Sequence, residues 1–592
     1  MSSFTESLMQ RFDAAPPAAE RVDFALNRRK MPSTAVERLP GIAEIEHAYF
    51  GSAGANAPGP SPLAAAATGS SATAELARSL KSANFMPVGS LDFSRDDGPL
   101  SPSLASRLKS SGNLGSPHGF SPVFSSLPAI RPHALERDAP EVQTIRRKLL
   151  RGAQVLIFQA GYSGKRFVYE HLRELGVRLT ILDGPESWAK CLLDEDVIEA
   201  YIELDFTDFG SLFERALDAI LDSGIAFDAV ATFYEDAVAI VARIAEALHL
   251  PGNPREACDR ARNKRVTREI MRVHGLPTPK FMRIDDAQQL EAAAESVGFP
   301  AILKPVFGAA SMGVHRVESM EDLQNTYAKV RSMMNVETDT IWAQGNEMML
   351  EEFYDGDEFD ADVLMSQGKV VYVSLSDNWA CWEPWYQETG MNIPSIFPPA
   401  QQTELVNLAT QTLHALGFTD GAFHVELKYT SRGPRIIEVN ARMGGMCVRD
   451  ANLRCWGVDL VEEHVMTALG IPIRPPKAPQ PLTELAQAAV NAPYSGVIDS
   501  DDWLEELQAY PECKVRRYLK PKGARVVGPE EDMPDWIAEL IFEGPSVSEL
   551  LHMMEQALKR LRVPIQPLDE RARRGWFFPS HAFPFQPSAV IP

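Results

Sequence analysis

GAFHVELKYTSRGPRIIEVNARMGG, residues 421–445, reads as two antiparallel strands joined by a turn at Ser431–Pro434. Side chains alternate between the faces of a strand, so Phe423, Val425 and Leu427 share one side while His424, Glu426 and Lys428 share the other. In the return strand, Ile437 and Val439 oppose Glu438 and Asn440. Two carboxylates and an amide therefore line one polar surface. Opposed Cβ atoms lie about 5 Å apart in such a pair. That is close enough for Glu426 and Glu438 to share hard cations roughly 3.5–4 Å apart, with Asn440 adding a neutral oxygen. A solvated strand face alternates in the same way. Here Arg442 and Gly444-Gly445 follow at once, adding a fixed cation and room for close backbone approach.

Upstream, PAILKPVFGAASMGVHRV places Lys304 at the end of an apolar strand, before a turn of small residues that includes Gly308, Ser311 and Gly313. Backbone N–H groups of such a turn can cradle phosphate oxygens, with the lysine as a nearby point charge. A bare glycine hairpin would look similar, but an unpartnered ammonium inside an apolar strand is costly. LEEFYDGDEFDADV, residues 350–363, is dense in carboxylates, yet its glycine and glutamates are misplaced for a calcium loop. A solvated acidic hairpin and a purine pocket beside Phe353 and Tyr354 are both open readings.

The rest of the chain frames these motifs. Residues 1–140 are rich in Ser, Pro, Gly and Ala and read as a disordered tail, with Ser61, Ser101, Ser116 and Ser121 each before a proline. AQVLIFQAGYSGKRFVYEHLRELGVRLTILD is a βαβ unit, and DAVATF with the following helical stretch extends it into a parallel α/β domain over 150–255. Its GYSGKR turn is not a P-loop, because Arg166 follows Lys165 where Ser or Thr is required. Two α+β units follow, at 256–345 and 346–474. A further α+β module occupies 475–570, and 571–592 is a Pro-rich tail.

Composition narrows the class. The 592 residues exceed what one core can organise, and 45% hydrophobic usage suits a globular chain. With 58 Lys and Arg against 80 Asp and Glu, the net charge is −22, which repels phosphate backbones and anionic lipid. We therefore expect neither a nucleic-acid partner nor a membrane. The N-terminus lacks a secretory pattern, and six scattered cysteines without a CxxC pair read as reduced thiols, so the expected location is cytoplasmic.

Taken in order, Asn263-Lys264, ILKP with its small-residue loop, LEEFYDGDEFD, HVELK and IIEVNARMGG resemble the motif series of the ATP-grasp superfamily of carboxylate-amine ligases, over about 150–570. The resemblance implies an α/β ATP-grasp architecture. It further implies that Lys264 and Lys304 hold the phosphates of ATP beneath the 308–313 loop, that Glu351 and the backbone at Phe353 and Tyr354 receive adenine, and that Glu358 takes the ribose. Glu426, Glu438 and Asn440 would bind two Mg2+ ions, with Mn2+ as a substitute, and Arg442 would stabilise an acyl phosphate.

Glu388-Thr389-Gly390 followed by Pro394-Ser395 is similar to the substrate loop of the superfamily's amino-acid ligases, most of all those joining β-alanine to histidine. By that likeness Glu388 meets a substrate ammonium, Trp379, Trp382, Trp385 and Tyr386 shape a pocket, and Gly444 and Gly445 lie at the substrate; beyond that turn, Arg449 and Arg454 are placed to clamp a carboxylate bidentately. The expected activity is ATP-dependent amide-bond formation between two amino acids. A ligase for two α-amino acids, a silent nucleotide-binding scaffold and a biotin-dependent carboxylase are the alternatives. A homo-oligomer is compatible with the sequence.

Overall fold

The computed structural model describes residues 140–334, 342 and 345–567. The expected tails and the four Ser-Pro sites lie outside them, apart from residue 140, which opens a helix, Pro140–Leu150, ahead of the expected domain start. Among the described residues no helix is long and apolar enough to cross a membrane.

Strands β1 (Gln154–Phe158), β2 (Arg178–Asp183), β3 (Ala200–Glu203) and β4 (Ala229–Ala231) form a parallel sheet in the order β3-β2-β1-β4. Their near-continuous apolar runs suit strands covered on both faces. β1 and β4 are neighbours, so the loops after them, 159–165 and 232–237, open at the same carboxyl edge, where open α/β sheets bind ligands.

β5 (Phe281–Ile284), β6 (Ala301–Pro305), β7 (His315–Val317) and β8 (Met348–Glu352) make a second sheet, order β5-β8-β6-β7. β8 pairs with β5 and β6, so the boundary expected at 346 falls after Glu352 instead.

The third sheet has eight strands. β9 (Asp357–Ser366), β10 (Lys369–Asn378), β11 (Gly390–Ile393), β12 (Gly421–Thr430) and β13 (Gly433–Asn440) are followed in it by three strands from the C-terminal region. A small separate sheet holds β15 (Gly496–Ile498), β17 (Arg525–Val526) and β19 (Ile565–Pro567), and the large one takes β14 (Glu484–Asn491), β16 (Cys513–Tyr518) and β18 (Trp536–Gly544). The large sheet's order is β13-β12-β9-β10-β11-β14-β18-β16. The expected C-terminal module is thus not a separate layer. The short β11 pairs with both β10 and β14 and carries the hydrogen-bond ladder across.

Alternation sorts this sheet. Phe359, Ala361, Val363, Phe423, Val425 and Leu427 pack with the helix Pro399–Leu416 and the helices Arg255–Arg262 and Lys264–Val273 in one core. The opposite, polar face is left for the site. The expected turn shortens to Ser431–Arg432, because both strands pair out to Thr430 and Gly433.

The helix Leu460–Ala468 locks the parallel domain to this sheet. His171 Nε2 lies 3.0 Å from Asp459 Oδ2 and 3.4 Å from Glu462 Oε1, and Arg147 and Arg449 also pair with these carboxylates. Burial would lower the imidazole, but the carboxylates prevail and raise it to about 9. The unfolded value is about 6.5. The stabilisation is therefore complete below that value and is lost as pH climbs through 9. His171→Gln is expected to flatten the fall in melting temperature between pH 6.5 and 9 relative to the natural chain, read by thermal melts in a pH series.

Candidate active site

A solvent-open cleft of about 2320 Å3 lies between the three main sheets and is walled by all of them. Its floor is the polar face of the large sheet. The register sets Glu426 opposite Glu438 on one side and opposite Asp360 on the other, so three carboxylates stand in one row. The next rows place His424 between Asn440 and Asp362, and Lys428 between Arg435 and Glu358. The juxtaposition read from the hairpin is therefore present: Glu426 and Glu438 face each other, and Asn440 Nδ2 donates to Glu426 Oε1 at 3.1 Å.

One detail of the hairpin differs. The ladder breaks after Glu426, and Leu427 pairs with Ile436 instead of Ile437. The bulge sends Ile436 into the core and leaves Ile437 on the cleft wall, on the side assigned to the polar residues.

The cations come from elsewhere in the chain. Asn263 caps the helix Lys264–Val273 through Val266 N. This sets Lys264 at the first turn, where Nζ donates to Glu438 Oε1 at 2.7 Å and to the Gly308 carbonyl at 3.3 Å. One turn on, Arg268 donates to Glu351 Oε2 at 3.2 Å and to the Ile437 carbonyl at 2.6 Å. Lys304 also pairs with Glu351, and all three groups are buried. Burial, aided by Arg268 and Lys264, lowers the Lys304 ammonium to about 8 against the pull of Glu351.

The coupled carboxylates of the floor split. Burial and the neighbouring Glu438 and Asp360 push Glu426 well up, whereas Lys264, working against burial, holds Glu438 below the usual range. Beneath them, His424 Nδ1 lies 2.8 Å from Asp362 Oδ1, and Asn452 donates to Asp362 and accepts from the Tyr372 hydroxyl. Burial disfavours the imidazolium, yet Asp360 and Asp362 raise His424 to about 10, so it stands as a cation under the carboxylate row.

The 308–313 loop hangs over the cleft. Ala310 and Ser311 adopt left-handed φ values of 52° and 56°, and Ser311 Oγ donates to the Tyr386 carbonyl at 3.3 Å. Gly308 and Ser311 line the cleft. Gly313 does not: at φ 72° it closes the turn against Pro305 and Val330, so its need is conformational. Phe353, Tyr354 and Glu358 also line the cleft, and Arg316 stacks 4.3 Å from the Phe353 ring centroid.

Glu388, Arg442 and Gly445 also line the cleft. The Glu388 side chain is open to the cleft's solvent, yet crowding by the surrounding walls pushes its carboxyl up to about 7, with Asp360 adding and His424 and Arg442 opposing. Arg442 Nε lies 2.9 Å from Glu235 Oε2. Several expected residues are elsewhere. Arg449 is off the cleft wall, held at two nitrogens by Asp459, and Arg454 pairs with Glu543. Gly444 is also off the wall; a Cβ there would come within 2.7 Å of His424 Nδ1, so the glycine makes room for that ring. Trp379 is buried in the C-terminal core, and Trp382 and Trp385 stack on each other at 6.0 Å. Tyr386 is on the wall, together with the unforeseen Trp536.

Sequence reading also passed over Asp360, Asp362, Arg268 and Glu235, and it set Lys165 aside when its turn failed as a P-loop. The alternation of EFDADV would have put Asp360 and Asp362 beside Glu358. The four-residue step from Lys264 would have found Arg268, and the ends of β1 and β4 would have flagged Lys165 and Glu235.

Residues 169–252 match the family model of an ATP-grasp N-terminal domain, and residues 297–450 match that of an ATP-grasp domain. The chain thus carries an ATP-grasp domain behind an ATP-grasp N-terminal domain, in an α/β ATP-grasp fold. This ATP-grasp chain is 31% identical over 362 residues to human carnosine synthase 1, a match covering 57% of this chain and 43% of that protein. It therefore spans less than half the length of that relative. It is 26% identical over 249 residues to alanine–anticapsin ligase of Bacillus subtilis strain 168, covering 40% of this chain and 52% of the relative. Among solved structures it superposes on an L-amino acid ligase from Bacillus licheniformis with a TM-score of 0.61 at 26% identity, covering 70% of this chain and 99% of that one.

Lys304, Glu351 and Arg268 form a buried charge cluster at the cleft wall. Glu351→Gln should strand two cations and cost about 3–5 kcal/mol in urea unfolding. Adding Lys304→Met should recover part of that loss, the coupling being read from a double-mutant cycle.

Proposed function

We propose that the protein is an ATP-dependent ligase that joins the carboxylate of one amino acid to the amine of another through an acyl phosphate, releasing ADP and phosphate. One observation carries the reading: Glu426 and Glu438 oppose each other beneath Lys264, Lys304 and the 308–313 loop, and Glu388 and Arg442 line the same cleft. The first group suits a metal-bound triphosphate and the second an amino acid.

The donor set fits Mg2+ in kind, being hard carboxylate and amide oxygens beside cations that can meet phosphate. Glu426, Glu438 and the Asn440 carbonyl would hold two such ions. When bound, they would neutralise charge on the β- and γ-phosphate oxygens. Lys264 and Lys304 would hold the phosphates. Ile437, exposed by the bulge, gives Phe353 and Tyr354 an apolar neighbour for adenine, and Glu358 would take the ribose.

The remaining work is positioning. Arg442, fixed by Glu235, sits where charge develops as the substrate carboxylate attacks the γ-phosphate, and again as the tetrahedral adduct collapses. Glu388 receives the ammonium of an incoming amino acid. The 308–313 loop, tied to the Tyr386 backbone, excludes water that would hydrolyse the acyl phosphate. No nucleophilic side chain is required, because phosphate itself is the leaving group.

Carnosine synthase likeness favours β-alanine and histidine as the pair. The L-amino acid ligase likeness supports a second reading, in which two α-amino acids are joined. Incubation with magnesium-ATP and pairs of amino acids, β-alanine with histidine first, should give ADP and a dipeptide of matching mass. Absence of ADP release with every pair overturns the ligase reading. Glu438→Ala is expected to lower turnover at least about 100-fold, and ADP release at the natural rate would remove this carboxylate from the metal site.

A further inference from the structure

We propose that Lys165, a residue of the N-terminal parallel domain, binds the retained carboxylate of the amine-donating amino acid next to Arg442. This rests on the ligase reading and adds to it a second, domain-crossing anchor for one substrate. Three features of the structure carry it.

The first is placement. β1 ends at Phe158, and the turn GYSGK then aims Lys165 into the cleft. Both glycines of the turn serve that aim. Gly161, at φ 69°, lets the lysine stem lie against it, where a Cβ would sit 3.2 Å from Lys165 Cδ. At Gly164 a Cβ would come within 2.3 Å of the Tyr162 ring, which folds back so that Lys165 Nζ stands 5.6 Å from its centroid.

The second is the unmet charge. Lys165 is 7% exposed and donates to the Phe233 carbonyl, yet no carboxylate pairs with it among the described residues. Its charged neighbours are Arg442, which repels it, and Glu235, which is already engaged by Arg442 at 2.9 Å and faces Arg262 at 3.8 Å. A buried lysine beside an arginine is a costly arrangement for the empty fold. An incoming anion removes that cost. Burial first, and Arg442 second, bring the ammonium down to about 7, against the pull of Glu235.

The third is the choice of anion. Lys264 and Lys304 contact Glu438 and Glu351, whereas Lys165 touches neither carboxylate and stands on the other domain's wall. The reacting carboxylate loses its charge to phosphorylation and then to amide formation. The amine donor's carboxylate keeps its charge from entry to release, so it needs a cation outside the phosphate site. Glu388, which lines the same cleft and feels the charge of Arg442, supplies the opposite pole for an amino group.

The test compares an amino acid with its decarboxylated amine, histidine and histamine, as amine donors with β-alanine and magnesium-ATP. If the natural chain prefers another α-amino acid, that amino acid and its own amine take their place. Lys165→Met should raise the KM of the amino acid about 10- to 100-fold, the worth of a charged hydrogen bond. It should leave the KM of ATP and the kinetics of the amine within about twofold. Lys165→Arg should recover part of the loss. Because the lysine burdens the empty fold, Lys165→Met should melt no lower than the natural chain without ligand, whereas a purely structural role predicts a lower melting temperature. Equal losses on both amine donors, or none on either, overturn the proposal.

Calorimetric titration of the amino acid at pH 8, in buffers of different ionisation enthalpy, decides the matter even if no ADP forms. The natural chain should take up more protons on binding than Lys165→Met, because pairing recharges the lysine. Glu388 titrates near the same range, so the difference between the two chains is the reading. No difference overturns the proposal, whereas failure of every pair to release ADP bears on the ligase reading alone.

Discussion

Carboxylates crowd one face of a single sheet. Glu358, Asp360 and Asp362 on β9 stand in register with Lys428, Glu426 and His424 on β12, and Glu438 on β13 completes the central row. Side by side at strand spacing, such groups repel strongly and could not all remain ionised without help. The fold supplies the help from other elements: Lys264 from a helix start meets Glu438, and His424 rises as a cation between Asp360 and Asp362. Glu426, between Glu438 and Asp360, bears the remaining repulsion, and its carboxyl is pushed well up. The rest of the architecture holds those cations in place.

The parallel domain gains a role from this arrangement. Its sheet presents the ends of β1 and β4 to the cleft, and Glu235 from the second of these orients Arg442. Asp236 and Glu235 also fix Arg262, whose guanidinium donates to the Gly308 carbonyl at 3.1 Å. Position of the small-residue loop and position of Arg442 are thus set by one pair of acidic residues. The contact between His171, Asp459 and Glu462 keeps that pair in register with the large sheet.

The hairpin at 421–440 shows where pattern reading succeeds and where it slips. Alternation placed Glu426, Glu438 and Asn440 together, because a strand's side-chain period depends on the backbone alone. It misplaced Ile437, because a bulge changes the count in one strand only and leaves no mark in the hydrophobic pattern. Arg449 illustrates a different failure. A bidentate carboxylate partner was expected and exists, but it is Asp459 of the same chain. The chemistry of a guanidinium can be read from its type, whereas its partner is a matter of which helix packs beside it.

Residue order by itself determined the sequence of elements, the hairpin that opposes Glu426 and Glu438, the lysine-bearing strand before a small-residue loop and the acidic stretch on β9, since these depend on contacts a few residues apart. The tertiary structure alone decided that β11 fuses the C-terminal strands into the same sheet. It alone decided that Lys304 and Arg268 share Glu351, and that Lys165 and Glu235 reach Arg442. Those pairings join residues separated by tens to hundreds of positions, and burial sets their strength by stripping water from charges that no local pattern brings together.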